Sequence, residues 1–241
     1  MPPGVLWVSS RTLSASLPAS KLCTWYESTH IPEVLALPGI PRAARYEAHP
    51  KPPGPSTYSS EAPWLTVYEM PDVEYRETSE FKSLDGQSEP RKELLEGVFR
   101  KARFDTRFYE GVQEFGADAV TGPANLLISA ALQPAAGQDA DFDAWYRQEH
   151  LHLLSKCPGY RRSRRFKVVN ATVLDKFERR EPEVPQYLAL HEFDGEDFPM
   201  EALGGTAGTE WAKKVMGNLN REEVGWYRLK REYREKDGAK V

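Results

Sequence analysis

The 241-residue sequence predicts an α+β fold: a tandem duplication of a ferredoxin-like βαββαβ unit, forming an intramolecular, pseudo-dimeric α/β barrel. Two observations carry this. The segment WYESTHIPEVLALPGIPRAARY from Trp25 realigns 120 residues later on WYRQEHLHLLSKCPGYRRSRRF, with seven of 22 positions identical, and VLWVSS falls on NLLISA at the same offset. So long a period means two copies of a domain rather than a repeat array. Each copy also reads strand, helix, strand, strand, helix, strand, the ferredoxin-like order. Its sheet carries helices on one face only, and two tandem copies bury the remaining apolar faces against each other.

The elements follow in order. A first strand (Val5 to Arg11; Leu126 to Leu132) precedes a helix stopped at Pro38-Gly39 or Pro158-Gly159, where proline disfavours continuation and glycine suits the stop. A second strand starts at once (Arg42 to Ala48; Tyr160 to Val169). A Pro- and Ser-rich loop from His49 to Pro63 follows in the first copy. The third strand is WLTVYEM or YLALHEF, the second helical stretch lies within Val73 to Ala102 or Met200 to Leu219, and FDTRFYEGV or VGWYRLKREY closes the copy. The boundary falls between Gly116 and Pro123, giving repeats over 1–119 and 120–241.

Composition narrows the function. With 40% hydrophobic and 28% charged residues the chain is an ordinary globular protein, and 32 Lys plus Arg against 36 Asp plus Glu leave it at −4. No general attraction to nucleic acid or anionic membrane follows. RRSRRFK, beginning at Arg161, reads as the solvated edge of a strand. The longest apolar stretch, Ala124 to Leu132, falls far short of the ~20 residues a membrane span needs. The N-terminal sequence carries no secretory pattern, and two cysteines make no disulfide framework, so a cytoplasmic location is expected, with the Asn170 sequon unused.

The WYxxxH…PG…R constellation resembles the EthD-like branch of the dimeric α/β-barrel superfamily, over both halves and most specifically over Trp25 to Tyr46 and Trp145 to Phe166. That resemblance implies a cavity between each sheet and its helices, lined by His, Tyr and Trp. It implies chemistry of the kind carried by cofactor-free decarboxylases, cyclases and monooxygenases of aromatic or polyketide-like compounds, by stress-response dimers or by haem-binding relatives. Members often carry an acid just ahead of the His. The second copy has Glu149-His150 there and the first Thr29-His30, and Pro32 stands where the second copy has His152, so differing helix geometry is expected at the two sites.

The candidate residues follow. At ~100° per residue, Trp145, Tyr146, Glu149, His150, Leu153 and Cys157 fall on one helical face, apolar apart from Glu149 and His150. Unpaired burial of either is costly. His150 is thus a candidate general acid or base tuned by Glu149, or else a cap at the helix end. His30 is its counterpart. Strand alternation puts Tyr187, Ala189, His191 and Phe193 on one face, so His191 meets His150 if that face looks toward the helices; otherwise it is a core or solvated His. Tyr68, its counterpart, is a neutral donor able to polarise a carbonyl. Trp25, Tyr26, Trp145 and Tyr146 are candidate substrate-binding residues or plain core. Arg42 and Arg45, like Arg162 and Arg165, are three apart and face opposite ways, which offers Arg45 and Arg165 to an anionic substrate.

Metal binding and cysteine catalysis lack any fitting spacing, GGTAGT at Gly204 lacks the Lys of a phosphate loop, and there is no GxSxG. The expectation is a cofactor- and metal-independent enzyme, monomer or homodimer, that cyclises, isomerises or decarboxylates an aromatic or polyketide-like small molecule by His/Tyr acid-base chemistry. The alternatives are haem- or oxygen-dependent chemistry and a non-catalytic binder of hydrophobic ligands.

Overall fold

In the computed structural model, which describes residues 2–116 and 121–234, the strands run in chain order as follows. The first half supplies β1 (Gly4–Thr12), β2 (Arg42–Ala48), β3 (Trp64–Met70) and β4 (Ala102–Gly116). The second supplies β5 (Leu126–Pro134), β6 (Tyr160–Asp175), β7 (Glu178–Arg180), β8 (Tyr187–Phe193) and β9 (Leu219–Arg234). The expected repeat boundary at 119/120 lies outside the described residues.

Hydrogen bonding orders the strands β4-β1-β3-β2-β9-β5-β8-β6, and β6 returns to β4, so the eight close into an antiparallel barrel with β7 hanging on β6. The ferredoxin-like order appears twice, and the seams are β2 on β9 and β4 on β6. Closure leaves neither half with an open edge.

Alternation along each strand then sorts side chains into three cores. Val5, Trp7, Leu65, Val67, Leu127, Leu188 and Tyr227 point into the barrel. Leu6, Val8, Tyr68 and Phe104 face the first half's helices, and Ile128, Ala130, Ala189 and Phe193 the second's. At the barrel centre Trp7 Nε1 donates to Ser129 Oγ at 3.0 Å. These positions are equivalent, since Trp7 pairs with Val67 of β3 and Ser129 with Leu190 of β8. One copy supplies a large side chain and the other a small one, as close packing across a two-fold demands. The structural offset of β1 on β5 is therefore 122 rather than 120 residues; a shift of two keeps the parity, so the faces come out as the sequence predicts.

The first helix of each half is interrupted in the same way. Ala19–Trp25 is α, Tyr26–His30 is a π-turn, and Ile31–Leu35 is α again; Asp139–Trp145, Tyr146–His150 and Leu151–Leu154 repeat this. The difference expected from Pro32 is not found: a π-turn already breaks the regular ladder, so a residue without an N–H fits after it. The second helical layer is Ser79–Lys82 and Lys92–Gly97 in the first half, and Met200–Ala207 and Glu210–Gly217 in the second.

Gly159 ends the second half's first helix with φ +76°, and a Cβ there would stand 2.1 Å from the Asp194 carbonyl oxygen. Gly137 has a similar φ of +79° but open space around it. Gly137→Ala is expected to cost about 1 kcal/mol from backbone strain alone. Gly159→Ala is expected to cost about 3 kcal/mol or more, because the β6–β8 junction must also shift. Urea midpoints of the two variants check this, and equal losses would remove the close-approach account.

Candidate active site

The π-turn explains the W-Y-x-x-x-H spacing. Residues five apart in a regular α-helix point ~140° away from each other, whereas i→i+5 bonding sets them one above the other. Accordingly Trp25 and His30 stack at 5.2 Å between ring centroids and Trp145 and His150 at 4.2 Å. Tyr26 and Tyr146, four residues ahead of the imidazoles, meet them edge-on at 5.0 and 5.3 Å. Each His is thus wedged between two aromatic rings of its own helix, a consequence that uniform ~100° steps do not show.

The same polar atoms are left unspent in both halves. Trp25 Nε1, His30 Nδ1, Trp145 Nε1 and His150 Nδ1 are all buried without a hydrogen-bond partner. Such atoms carry a desolvation cost and are rare in native proteins. Neither His side chain caps the helical segment that follows it. Burial is the main cause that pulls both imidazoles down to about 4, so both are neutral at pH 7. Arg45 pushes His30 the same way, and Asp85, beside it, pushes back. For His150 a backbone hydrogen bond to Thr206 opposes the drop. Since Nδ1 has no partner, that bond uses Nε2 and its hydrogen, which leaves the Nδ1 lone pair free.

The other candidates divide between the halves. His191 faces the helices, and its ring lies 5.8 Å from that of His150. Its Nδ1 is 2.7 Å from Ser163 Oγ, which is 3.0 Å from the Tyr160 hydroxyl. Burial, then the neighbouring His150, hold the His191 pKa well below the ordinary range. In the first half Tyr68 takes this place and its hydroxyl donates to Tyr26 at 3.4 Å. Glu149 does not reach His150; its carboxylate accepts from Thr209 Oγ1 at 2.6 Å and ties the helix to the lid-like second layer.

Arg45 and Arg165 do lie on the helix side, at 4.5 and 4.2 Å over the Tyr26 and Tyr146 rings. They are spent locally, Arg45 on Thr66 and Glu27 and Arg165 on Gln113 and Asp143, rather than held open for an anion. Arg42 and Arg162 face the other way and line one end of the barrel.

A cavity of about 40 Å³ lies against Trp25, Tyr26, His30 and Tyr68. It is closed by Leu84, Asp85, Gly86 and Gln87, and by Leu174 near the end of β6, from the other half. The β6–β7 hairpin turns through Lys176 and Phe177 at positive φ, packs Phe177 on Phe99 at 5.8 Å, and pins the closing segment through Arg179 to the Gly86 and Gln87 carbonyls. Ser163, Tyr160, Asp85 and this hairpin escaped the sequence reading; the Asp85-Gly86 turn dipeptide is the one local signal among them.

As closed, the structure leaves no room for a haem at these imidazoles. Ligands of that size need cavities of ~300–1,000 Å³. The spaces of that scale, about 630 and 430 Å³, lie at the barrel ends with no His in their walls. Among the described residues no group of three or more His, Cys, Asp and Glu gathers to hold a metal ion, and no helix is long and apolar enough to cross a membrane.

Comparison with known proteins agrees on the fold. No protein-family model matches the chain. "Core atranone cluster (CAC) protein 1" of Stachybotrys chlorohalonatus is 23% identical over 200 residues, covering 80% of this chain and 82% of that protein. Among solved structures, an anthrone oxidase-like protein superposes with a TM-score of 0.59 at 14% identity, over 97% of this chain and 93% of the other. A putative monooxygenase from Lactobacillus acidophilus gives 0.52 at 9% identity, over 98% and 97%. The chain has the dimeric α/β-barrel fold, with both halves of the barrel in one polypeptide.

The lowered imidazoles set a pH dependence. The unfolded chain takes up protons near 6.5 and the folded one near 4, so the folded state loses stability as pH falls between those values and keeps it above 6.5. The expected slope is up to about 1.4 kcal/mol per pH unit for each imidazole. Denaturant midpoints measured from pH 7 to 4 should flatten in part in His30→Gln and in His150→Gln. Imidazole NMR titrations with midpoints near 6.5 would refute the burial account.

Proposed function

We propose that the protein is a secondary-metabolism enzyme that needs no resident cofactor and removes a proton from an enolisable aromatic or polyketide-like substrate. Isomerisation and aldol-type cyclisation begin with this step, whereas decarboxylation reaches the same enolate by loss of CO₂ and ends with its protonation at carbon. The observation that supports it is the stacked Trp–His pair with a neutral imidazole and two unspent polar atoms, present in both halves. The imidazole Nδ1 takes the C–H proton, and the indole N–H donates to the carbonyl oxygen on which negative charge develops. At pH 7 the base needs no prior deprotonation.

In the second half a hydrogen-bonded chain, His191–Ser163–Tyr160, lies beside His150, with the His191 ring 5.8 Å from that of His150. The first has the open space, though 40 Å³ admits a substrate only when the segment from Leu84 to Gln87 swings out. The relative named for a metabolite cluster and the neighbour titled anthrone oxidase-like favour this substrate class. The latter also favours a second reading, in which molecular oxygen attacks the enolate. An anthrone then gives the quinone with one O₂ consumed and one water released.

Anthrone itself is the probe. Exchange of its methylene hydrogens in D₂O at pH 7, followed by NMR without oxygen, should be accelerated by the metal- and haem-free protein. His30→Gln and His150→Gln separate the halves, and loss of the productive base should lower the rate by about 10²–10⁴. A double variant that exchanges as fast as the wild type would sink the proposal. Oxygen uptake with quinone formation in the same protein would select the second reading.

A further inference from the structure

The 630 Å³ cavity at one end of the barrel is used by none of this chemistry. It lies on the opposite side of β4 from the His30 site, because Phe104 and Thr106 line the small cavity whereas Asp105 and Arg107 line the large one. The floor is Arg107, 3% exposed. Its guanidinium carbon stands 4.8 Å from the Trp7 ring and 5.8 Å from that of Tyr58, and these two rings, 5.7 Å apart, lie to the same side of it. One nitrogen, Nη2, reaches Glu223 at 2.6 Å. Nε and Nη1 are buried without a well-aligned partner, and the Tyr109 hydroxyl, two residues along the same face of β4, stands within reach of the guanidinium.

The other charges of the cavity differ. Arg11 is paired with Glu61, and Arg103 makes two bonds of 3.1 Å to Asp105. Glu222 stands exposed at the rim. Arg107 is therefore the buried cation with donors to spare, and Glu223, 19% exposed, is a counter-ion on the solvent side of it. A guanidinium in this state accepts an anionic oxygen more readily than water, since charge-assisted bonds strengthen out of solvent. Tyr58 and Trp226 supply flat aromatic walls. The volume suits a small molecule of two or three rings.

We infer that this end of the barrel is a second binding site, for a planar aromatic monoacid whose carboxylate or phenolate docks on Arg107 and displaces Glu223. The site is built by both halves: Arg107 and Tyr58 come from the first, Glu223 and Trp226 from the second. It exists only in the closed barrel. Two acidic groups on one ligand are disfavoured, because the four carboxylates Glu61, Asp105, Glu222 and Glu223 already outnumber the three arginines Arg11, Arg103 and Arg107 of the lining.

The test is titration of the full chain with 2-naphthoate and with its neutral amide, read by tryptophan fluorescence and calorimetry. Naphthoate is expected to bind and the amide to bind at least about tenfold more weakly. Arg107→Gln should lower naphthoate affinity at least about tenfold, whereas Glu223→Gln, which removes the competing carboxylate, should raise it several-fold. Because Arg107→Gln loses a buried ion pair and can unfold, Glu223→Gln and Trp226→Leu keep the question open to refutation. Equal affinity for acid and amide, or no gain in Glu223→Gln, would overturn the inference. So would binding abolished by His30→Gln and His150→Gln, which would place the ligand on the helix side.

Discussion

A four-stranded antiparallel sheet with helices on one side has an apolar face left over, and covering that face governs the rest of this molecule. The chain does so by carrying a second copy of the unit and joining both pairs of edges, β2 to β9 and β4 to β6. The two seams do more than hide apolar surface. They use up the hydrogen-bonding groups of four strand edges that otherwise template aggregation. They also give every strand two buried faces, one toward helices and one toward the barrel. Adjacent residues such as Thr106 and Arg107 consequently belong to different cavities.

Joining the copies in one chain also releases them from symmetry. In a dimer of identical subunits, Trp7 would meet its own copy across the axis, where there is no room for two indoles. Here Ser129 occupies the equivalent place and accepts the indole N–H. The same freedom puts Tyr68 beside the first half's imidazole and His191 beside the second's. It also lets the second copy grow a β6–β7 hairpin that closes the first copy's site with Leu174 and Arg179.

The sequence made the architecture legible because both signals it used survive small errors. The duplication is read from residue identities, and strand faces depend on parity alone, so Tyr187, Ala189, His191 and Phe193 share the helix-side face whatever the exact strand bounds. Features set by backbone detail were not legible. The π-turn changes which residues meet, and uniform helical steps place Glu149 beside His150 where the structure ties it to Thr209. Lys176 and Phe177 adopt positive φ without glycine to announce it. The barrel-end charges were hidden because Arg107 and Glu223, 116 apart in the sequence and on strands that do not pair, meet only across the closed barrel, which no local pattern encodes.

The two halves keep one feature despite this divergence, the Trp–His stack at the π-turn, and its energetics explain why it reads as a site rather than as core. A core has no use for a buried indole N–H and imidazole nitrogen without partners, since replacing both rings by aliphatic side chains of similar volume would remove a desolvation cost of ~1–3 kcal/mol per group. A π-turn is itself less favourable than the α-helix it interrupts and is found mostly at functional positions. Two independent costs therefore fall on the same six-residue stretch, twice, in segments that have otherwise diverged to seven identities in 22. Packing alone would have relieved at least one of them in at least one copy. A stacked, neutral imidazole is what those costs secure in each half, and the proposed proton transfer is a chemistry in which such a group is worth keeping.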